Sequence, residues 1–231
     1  MKLLEKIWGT PNKIFRKSYS QCGEDMMIDF ILEALFIKNP TYLDVGCNDP
    51  LYLNNTYFFY KYKNGKGILV EPNPHLANKI KSKRQNDFLL NAGIGLGEVT
   101  EANYYMMDWH EFNTFSETVA KETQEHYKGQ NNLKQVIKVK LITINEILET
   151  HFKTPPDILS IDVEGLDLEI LKTLNFEKFR PKIICTETKV AGNINQNPIV
   201  SFLSEKGYAM FCKTPINGIF VDEKQIDTSK I

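Results

Sequence analysis

The sequence predicts an α/β fold: a mostly parallel sheet with helices on both faces and an antiparallel hairpin at its C-terminal end. Short apolar segments alternate with segments of helical periodicity along most of the chain. Near the end, "YAMFCK" and "GIFVD" flank the short turn "TPIN", as in a hairpin. Strands that are apolar throughout are typical of parallel sheets, which are buried on both faces. With 231 residues, 42% of them hydrophobic, we expect one domain, residues 1–231, around one core.

The first half of the chain predicts a βαβαβ unit preceded by an N-terminal helical segment of about residues 1–38. Ser20 is a candidate N-cap for a helix over "QCGEDMMIDFILEALF", in which apolar residues recur at helical spacing. Asn39 and Pro40 then mark a turn. The elements predicted after this turn are strand "TYLDVG", helix "NTYFFYKY", strand "GKGILVEP", helix "PHLANKIKSKR" and strand "DFLLNAGI".

The second half begins with a more polar stretch, from about residue 98 to residue 135, which we interpret as an insertion. Strand "VIKVKLI" follows, and then helix "TINEILETHF", for which Thr143 and Glu146 form an S/T-x-x-E capping pattern. The remaining predicted elements are strand "PDILSIDVEG", helix "LDLEILKTL", strand "KIICTET", a helix near "IVSFLSEKG" and the terminal hairpin.

Charge and cysteine usage limit the classes of function. Lys and Arg total 28 and Asp and Glu total 29, so the net charge is −1 and no large cationic field favours nucleic acid as a partner. The four cysteines show no CxxC pair and no zinc-ligand spacing, and we expect reduced cysteines in a cytoplasmic protein. They are Cys22, Cys47, Cys185 and Cys212.

The N-terminal stretch "MKLLEKIWGTPNKIFRKS" is basic, and its apolar residues are too scattered for a signal peptide. No run approaches the roughly 18 apolar residues of a membrane span. Apolar residues interleaved with lysines are compatible with docking on a membrane surface. We favour a short helix packed on the domain or on a partner subunit, which leaves a homo-oligomer open.

Polar residues follow the predicted strands at their carboxyl ends, where ligands bind in open parallel sheets. They are Asp44 to Asp49 after the first strand, Glu71 after the second, Asn91 after the third, Asp162 and Glu164 after "PDILSI", and Glu187 after "KIICT". The sequence therefore places a candidate ligand site at this edge of the sheet.

The segment "DVGCNDP" is by itself compatible with a plain tight turn, since Asp44 can cap a turn and Gly46 can supply a positive φ. Glu71, 27 residues after Asp44 and at the end of the next strand, favours a ligand. An acid at that place can accept hydrogen bonds from both hydroxyls of a ribose. Pro50 removes a backbone donor that a pyrophosphate cradle would need, which counts against NAD and ATP. Another adenosine-type ligand is favoured.

The motifs together resemble those of FkbM-family S-adenosylmethionine (SAM)-dependent methyltransferases. The matching segments occur in family order and include SQ-x-GED, EPNP and IDVEG: "YSQCGEDMMI", "YLDVGCNDP", "NNTYFFYKYKNGKGILVEPNP", "NAGIG", "LITINEIL", "DILSIDVEGLDLEILKTL" and "PKIICTE". The resemblance implies a class I methyltransferase (Rossmann-like) fold with a seven-stranded sheet. It also implies SAM as cofactor and methyl transfer to a hydroxyl of a sugar, glycan or natural product. Residues 98–135 lack a match, and we expect acceptor specificity there.

The resemblance also assigns roles to residues. We expect Asp44, Gly46 and Asn48 near the methionine part of SAM, Glu71 on the ribose and Asn91 near the adenine. Gln21 and Glu24 of the "SQCGED" segment are expected to close over the site from the N-terminal helix.

For proton removal the candidates are Asp162, Glu164 and Glu187, and His110 is a second possible base. We favour metal-free chemistry, because no histidine accompanies these acids in sequence. Two alternatives stay open at this point. One is a noncatalytic SAM- or nucleotide-binding module of the same fold, and the other is a metal-dependent hydrolase that uses the same carboxylates.

Overall fold

The computed structural model describes residues 17–163, 165–188, 194 and 197–225. The strands are β1 Thr41–Val45, β2 Lys66–Val70, β3 Phe88–Leu90, β4 Gly93–Gly95, β5 Glu101–Met107, β6 Leu133–Thr143, β7 Ile158–Ile161, β8 Ile183–Glu187, β9 Tyr208–Lys213 and β10 Asn217–Asp222. The α-helices are α1 Glu24–Ala34, α2 Tyr57–Tyr62, α3 Pro74–Lys83, α4 Glu117–His126, α5 Ile144–His151, α6 Asp167–Thr173 and α7 Pro198–Glu205. Two 3-10 turns within these described ranges span His110–Phe112 and Glu223–Gln225.

Seven strands form the main sheet in the order β3-β2-β1-β7-β8-β10-β9. All neighbouring pairs are parallel except those of β10, which runs antiparallel to both β8 and β9. The predicted fold class, a mostly parallel α/β sheet with an antiparallel C-terminal hairpin, is confirmed. The resemblance of the motifs to class I methyltransferases implied a seven-stranded sheet of this kind.

Two hydrophobic clusters cover the two faces of this sheet. On β1, Tyr42 faces the cluster that contains residues of α1, α2 and α3, whereas Leu43 faces the cluster that contains residues of α5, α6 and α7. This division follows from the period of two along a strand. Asp44 therefore lies on the same face as Tyr42, the side on which α1 to α3 pack.

Helix α1 begins at Glu24, so its N-cap is Gly23, three residues later than the predicted cap Ser20. Gly23 has φ of 90°, in the left-handed region, which a helix interior does not admit. The Ser20 hydroxyl instead accepts hydrogen bonds from the backbone N–H groups of Gly23 at 3.1 Å and Asp25 at 3.3 Å. Residues 1–16 of the predicted N-terminal helical segment lie outside the described residues.

A second sheet lies beside the first and has the order β4-β6-β5. The predicted strand "DFLLNAGI" divides into β3, which joins the main sheet, and β4, which pairs in parallel with β6. The predicted strand "VIKVKLI" is part of β6, which pairs antiparallel with β5. The interval from 98 to 135 thus contains β5, α4 and the start of β6.

Candidate active site

A cavity of about 390 Å³ opens at the carboxyl ends of β1, β2 and β7. Its volume falls within the roughly 300–1,000 Å³ that is usual for small-molecule sites. The walls come from the turns after these strands, from Ala92–Ile94, and from β5 with the segment that follows it. The cavity therefore lies at the sheet edge that the sequence predicts.

The turn after β1 brings the backbone to the cavity. Gly46 has φ of 74° and its N–H donates to the carbonyl of Val70 at 3.0 Å. A Cβ at position 46 would lie 2.0 Å from the carbonyl oxygen of Asp162. Glycine is therefore required here both for its conformation and for the close approach of two strand ends.

Glu71 follows β2 and is 3% exposed. Its Oε2 accepts from the N–H of Asn48 at 2.9 Å, and its Oε1 accepts from the N–H of Asn73 at 2.8 Å. Burial raises the pKa of Glu71 to about 7, the two N–H groups oppose this, and the charge of Asp44 adds to it. A carboxylate has about four lone-pair positions. Two of those positions are left for a ligand.

Asp44 lies at the floor of the cavity and accepts a hydrogen bond from the Thr56 hydroxyl at 2.6 Å. Burial raises the pKa of Asp44, against the Thr56 hydrogen bond and the positive charge of Arg84. Arg84, which the sequence analysis did not single out, is buried beneath the loop that follows β1. Its guanidinium donates to Asp87 Oδ2 at 2.7 Å, to Tyr42 OH and Thr56 Oγ1 at 3.1 Å, and to Pro50 O and Asn54 Oδ1 at 3.2 Å.

Asn54 also holds this loop from inside. Its Nδ2 donates to the carbonyls of Cys47 at 3.0 Å and Asp49 at 3.1 Å. A basic residue at the end of a helix is usually exposed, so nothing in the pattern "KSKRQND" pointed to Arg84. Asn54 lies in the "NNTYFF" segment of the family motifs, which was the available signal.

The three predicted proton acceptors are placed differently. Asp162 lines the cavity, and its N–H extends the β1–β7 pairing by donating to the Val45 carbonyl at 3.0 Å. Glu164 lies outside the described residues. Glu187 ends β8 and does not line the cavity; its charge, after burial, helps to raise the pKa of Asp167 to about 6.

Of the predicted cofactor residues, Gln21, Asp44, Gly46, Asn48 and Glu71 line the cavity. Glu24 and Asn91 do not line it, and their side chains instead hold neighbouring parts of the chain in place. Glu24 is buried against the β9–β10 turn, where it accepts from Thr214 Oγ1 at 2.7 Å and Asn217 Nδ2 at 3.2 Å. The exposed Asn91 amide donates to the carbonyls of Glu71 at 2.8 Å and Pro72 at 3.1 Å, and Ala92 and Gly93 take the place at the cavity wall.

Three lining residues carry buried polar atoms that have no hydrogen-bond partner within the described part of the chain: Asn48 Oδ1, His110 Nδ1 and Asn113 Nδ2. Buried polar atoms are normally hydrogen-bonded, and a polar ligand in the cavity would supply partners for these three. Acceptor oxygens of Glu71 and Asn48 suit ribose hydroxyls and an ammonium group, and Val70, Ile94 and Phe115 supply apolar wall for a purine ring. The lining therefore fits SAM.

No group of three or more His, Cys, Asp or Glu side chains among the described residues is arranged to hold a metal ion. None of their helices has the length and apolar content to cross a membrane.

Solved structures that are similar to this chain include several methyltransferases. A TehB-like SAM-dependent methyltransferase from Corynebacterium glutamicum is 10% identical, covers 96% of this chain and 97% of its own, and has a TM-score of 0.44. A precorrin-6y C5,15-methyltransferase from Geobacter metallireducens is 13% identical, with 94% of each chain covered and a TM-score of 0.44. An O-methyltransferase from Bacillus cereus in complex with SAH is 9% identical, covers 95% of this chain and 85% of its own, and has a TM-score of 0.43.

No curated protein sequence matches the chain. The model of the methyltransferase FkbM domain, in contrast, matches residues 44–210, which is most of the chain and includes the turns that build the cavity. The resemblance predicted from the motifs is thereby confirmed. The chain belongs to the FkbM family of SAM-dependent methyltransferases.

Proposed function

We propose that this enzyme transfers the methyl group of SAM to a hydroxyl of a sugar, glycan or other natural-product acceptor. The observation that supports this proposal is the chemistry of the cavity lining. The described residues that line the cavity include Asp162, with its carboxylate, and the uncharged Gln21, Asn55 and Ser160. They include no lysine or arginine. Such a lining suits a neutral hydroxylated acceptor better than a phosphate-rich nucleic acid.

In this proposal the two strand-end turns hold the cofactor. Asp44, Gly46 and Asn48 bind the methionine part, and Glu71 accepts hydrogen bonds from the ribose hydroxyls. Bound SAM supplies a methyl group that is already activated by the sulfonium charge. The protein then has to orient two substrates, which contributes roughly 7–11 kcal/mol in well-aligned reactions.

Proton removal is assigned to Asp162. When the acceptor oxygen takes the methyl group, the bond from that carbon to the sulfonium sulfur would break and leave a neutral thioether. The acceptor O–H proton would move to the Asp162 carboxylate, and such general-base catalysis is worth a factor of about 100 to 10,000. Asn55 lines the same cavity, and its Nδ2 donates to Ser160 Oγ at 3.2 Å. His110 is the second candidate base, and it too lines the cavity.

We further propose a cytoplasmic location. All four cysteines are free thiols, and burial raises the pKa of Cys47 and Cys185 well above the ordinary value, so both stay protonated packing groups. Nothing in the described residues favours the noncatalytic or hydrolase alternative.

The test is incubation with methyl-labelled SAM and separate panels of nucleotide sugars, glycans and RNA oligonucleotides. We expect label in a sugar or glycan, one S-adenosylhomocysteine (SAH) per methyl, and a product that survives mild alkali, as a methyl ether does and a methyl ester does not. Label confined to RNA would contradict a sugar, glycan or natural-product acceptor, and label released by alkali would contradict methyl transfer to a hydroxyl. Tight SAM binding without turnover on any panel would support a noncatalytic module.

A further inference from the structure

Strand β5 and the segment after it form one wall of the cofactor cavity, although they lie outside the main sheet. Phe115 packs at Gly93, where a Cβ would come within 2.4 Å of its Cζ. Tyr104 and Glu71 line the same cavity, and the charge of Glu71, after burial, raises the pKa of Tyr104. This wall therefore faces the ribose and adenine side of the site.

Asn113 lies in this wall with one end of its amide fixed. Its Oδ1 accepts from the backbone N–H of Met107 at 2.8 Å, so the other end of the amide must be the NH₂ group. The residue is 8% exposed and lines the cavity. The Asn113 amide lies close enough to Tyr104 to oppose the rise in the pKa of that phenol, but Nδ2 has no partner in full hydrogen-bonding geometry among the described residues.

We propose that Asn113 Nδ2 donates a hydrogen bond to a ring nitrogen of the adenine of SAM. The family cofactor contains this acceptor, because the ring nitrogens of adenine accept and do not donate. The predicted ribose and methionine contacts at Glu71 and Asn48 use acceptor oxygens, so Asn113 adds the donor that these residues do not supply. Asn113 lies within residues 98–135, where we expect acceptor specificity. In this proposal the same segment therefore also contacts the cofactor.

The first test is Asn113→Asp, which keeps an oxygen for Met107 N–H and replaces the donor by a second acceptor. Calorimetry would use SAM, SAH and 5′-methylthioadenosine, the last of which lacks the amino-acid part. We expect affinity for all three to fall by the same factor, about 10- to 100-fold, as for a buried donor replaced by an unpaired group. A fall for SAM and SAH but not for methylthioadenosine would overturn the adenine contact.

Asn131→Asp is the matched control. Asn131 Oδ1 accepts from the Trp109 N–H at 2.9 Å, and its buried Nδ2 also lacks a partner among the described residues, but the side chain does not line the cavity. We expect its affinity for the three ligands to stay within twofold of the wild type. An equal loss in both variants would show a general effect of a buried carboxylate and would overturn the proposal.

A second measurement does not depend on the stability of either variant. The wild-type protein is titrated with the 1-deaza, 3-deaza and 7-deaza analogues of methylthioadenosine, each of which lacks one ring nitrogen. We expect one analogue to bind about tenfold more weakly than its parent, and this difference to vanish in Asn113→Asp if that variant folds. Equal binding of all three analogues to the wild type would refute the proposal, as would an Asn113→Asp variant that changes acceptor KM but not SAM affinity.

Discussion

Glu71 Oε2 accepts a hydrogen bond from the backbone N–H of Asn48 at 2.9 Å, so one carboxylate joins the turns after two neighbouring strands. We also assign to Glu71 the hydrogen bonds from the ribose hydroxyls. The charge state of Glu71 therefore affects both the shape of the loop and the ligand contact.

The first prediction concerns pH. With a pKa of about 7, Glu71 is raised above its ordinary value of 4.5, so its contribution to the stability of the unliganded protein is complete below about pH 4.5 and is lost as pH rises through about 7. Ribose hydroxyls donate best to the ionised form. We expect SAM affinity to rise toward pH 8, by up to about tenfold per pH unit below the pKa, with release of a proton.

Calorimetry between pH 5.5 and 8.5, in buffers of different ionisation enthalpy, measures both effects. Glu71→Gln should remove the pH dependence, and Glu71→Ala should weaken SAM binding by roughly 1.5–3 kcal/mol. A wild-type affinity that does not change over this range would contradict the assignment.

A second prediction compares two glycines with positive φ. Gly46 and Gly23 have φ of 74° and 90°, but a Cβ at Gly23 meets nothing within 4 Å. Gly23→Ala should cost about 1–2 kcal/mol of unfolding free energy for its conformation. Gly46→Ala adds the clash with Asp162 and should cost about 2–5 kcal/mol and abolish SAM binding. Urea denaturation followed by circular dichroism checks this, and equal losses in the two variants would argue against the close approach.

The third prediction concerns Arg84, which we expect to stabilise the cofactor loop. Arg84→Met leaves Asp87 and Asp44 buried without a positive charge, and we expect a loss of about 3–5 kcal/mol of unfolding free energy. Lys178→Met is the control, because the Lys178–Glu149 pair, 2.7 Å apart, is about half exposed on both sides and should change stability by less than about 1 kcal/mol. Similar denaturation midpoints for both variants would remove Arg84 from this role.

The fourth prediction tests the proposed base. Asp162→Asn should lower turnover about a hundredfold or more while SAM affinity changes little, since an amide cannot take the hydroxyl proton. His110→Gln serves as the comparison. If His110→Gln lowers turnover and Asp162→Asn retains it, the histidine is the base. Turnover that is lost with EDTA and restored by magnesium would overturn metal-free chemistry.

The fifth prediction concerns residues 19–25. The N–H of Asn54 donates to the Tyr19 carbonyl at 2.9 Å, and Gln21 lines the cavity, so this segment is coupled to the loop beside the site. We expect its amides to exchange more slowly with solvent when SAH is bound, in a hydrogen-exchange experiment with α4 as the internal reference. Equal exchange with and without SAH would count against a closing role.

The main sheet was predictable because its strands are short, apolar and separated by helical periodicity. The second sheet was not, because β4 has three residues, two of them glycine, and carries no alternating pattern. Glu24 is held by a hydrogen bond from Thr214, 190 residues away. Arg84 is held by its hydrogen bonds to Tyr42 and Thr56. Such contacts join distant parts of the chain, and local periodicity does not contain them. The strand-end polar residues were predictable because topology alone brings them to one edge.

Strand β1 has one partner close by in the chain and one far away. Tyr42 pairs with Gly67 of β2 on one side and with Ile158 of β7 on the other, and the Thr41 N–H reaches Asp157 Oδ2 across 116 residues. Contacts of large sequence separation slow folding, so we expect β1, β2 and β3 to assemble before β7 inserts beside them. During synthesis the surface that carries Glu71 then exists before the segment that carries Asp162 has left the ribosome. We therefore expect a nascent chain to present the ribose-binding carboxylate of Glu71 before it presents the proposed catalytic base, Asp162.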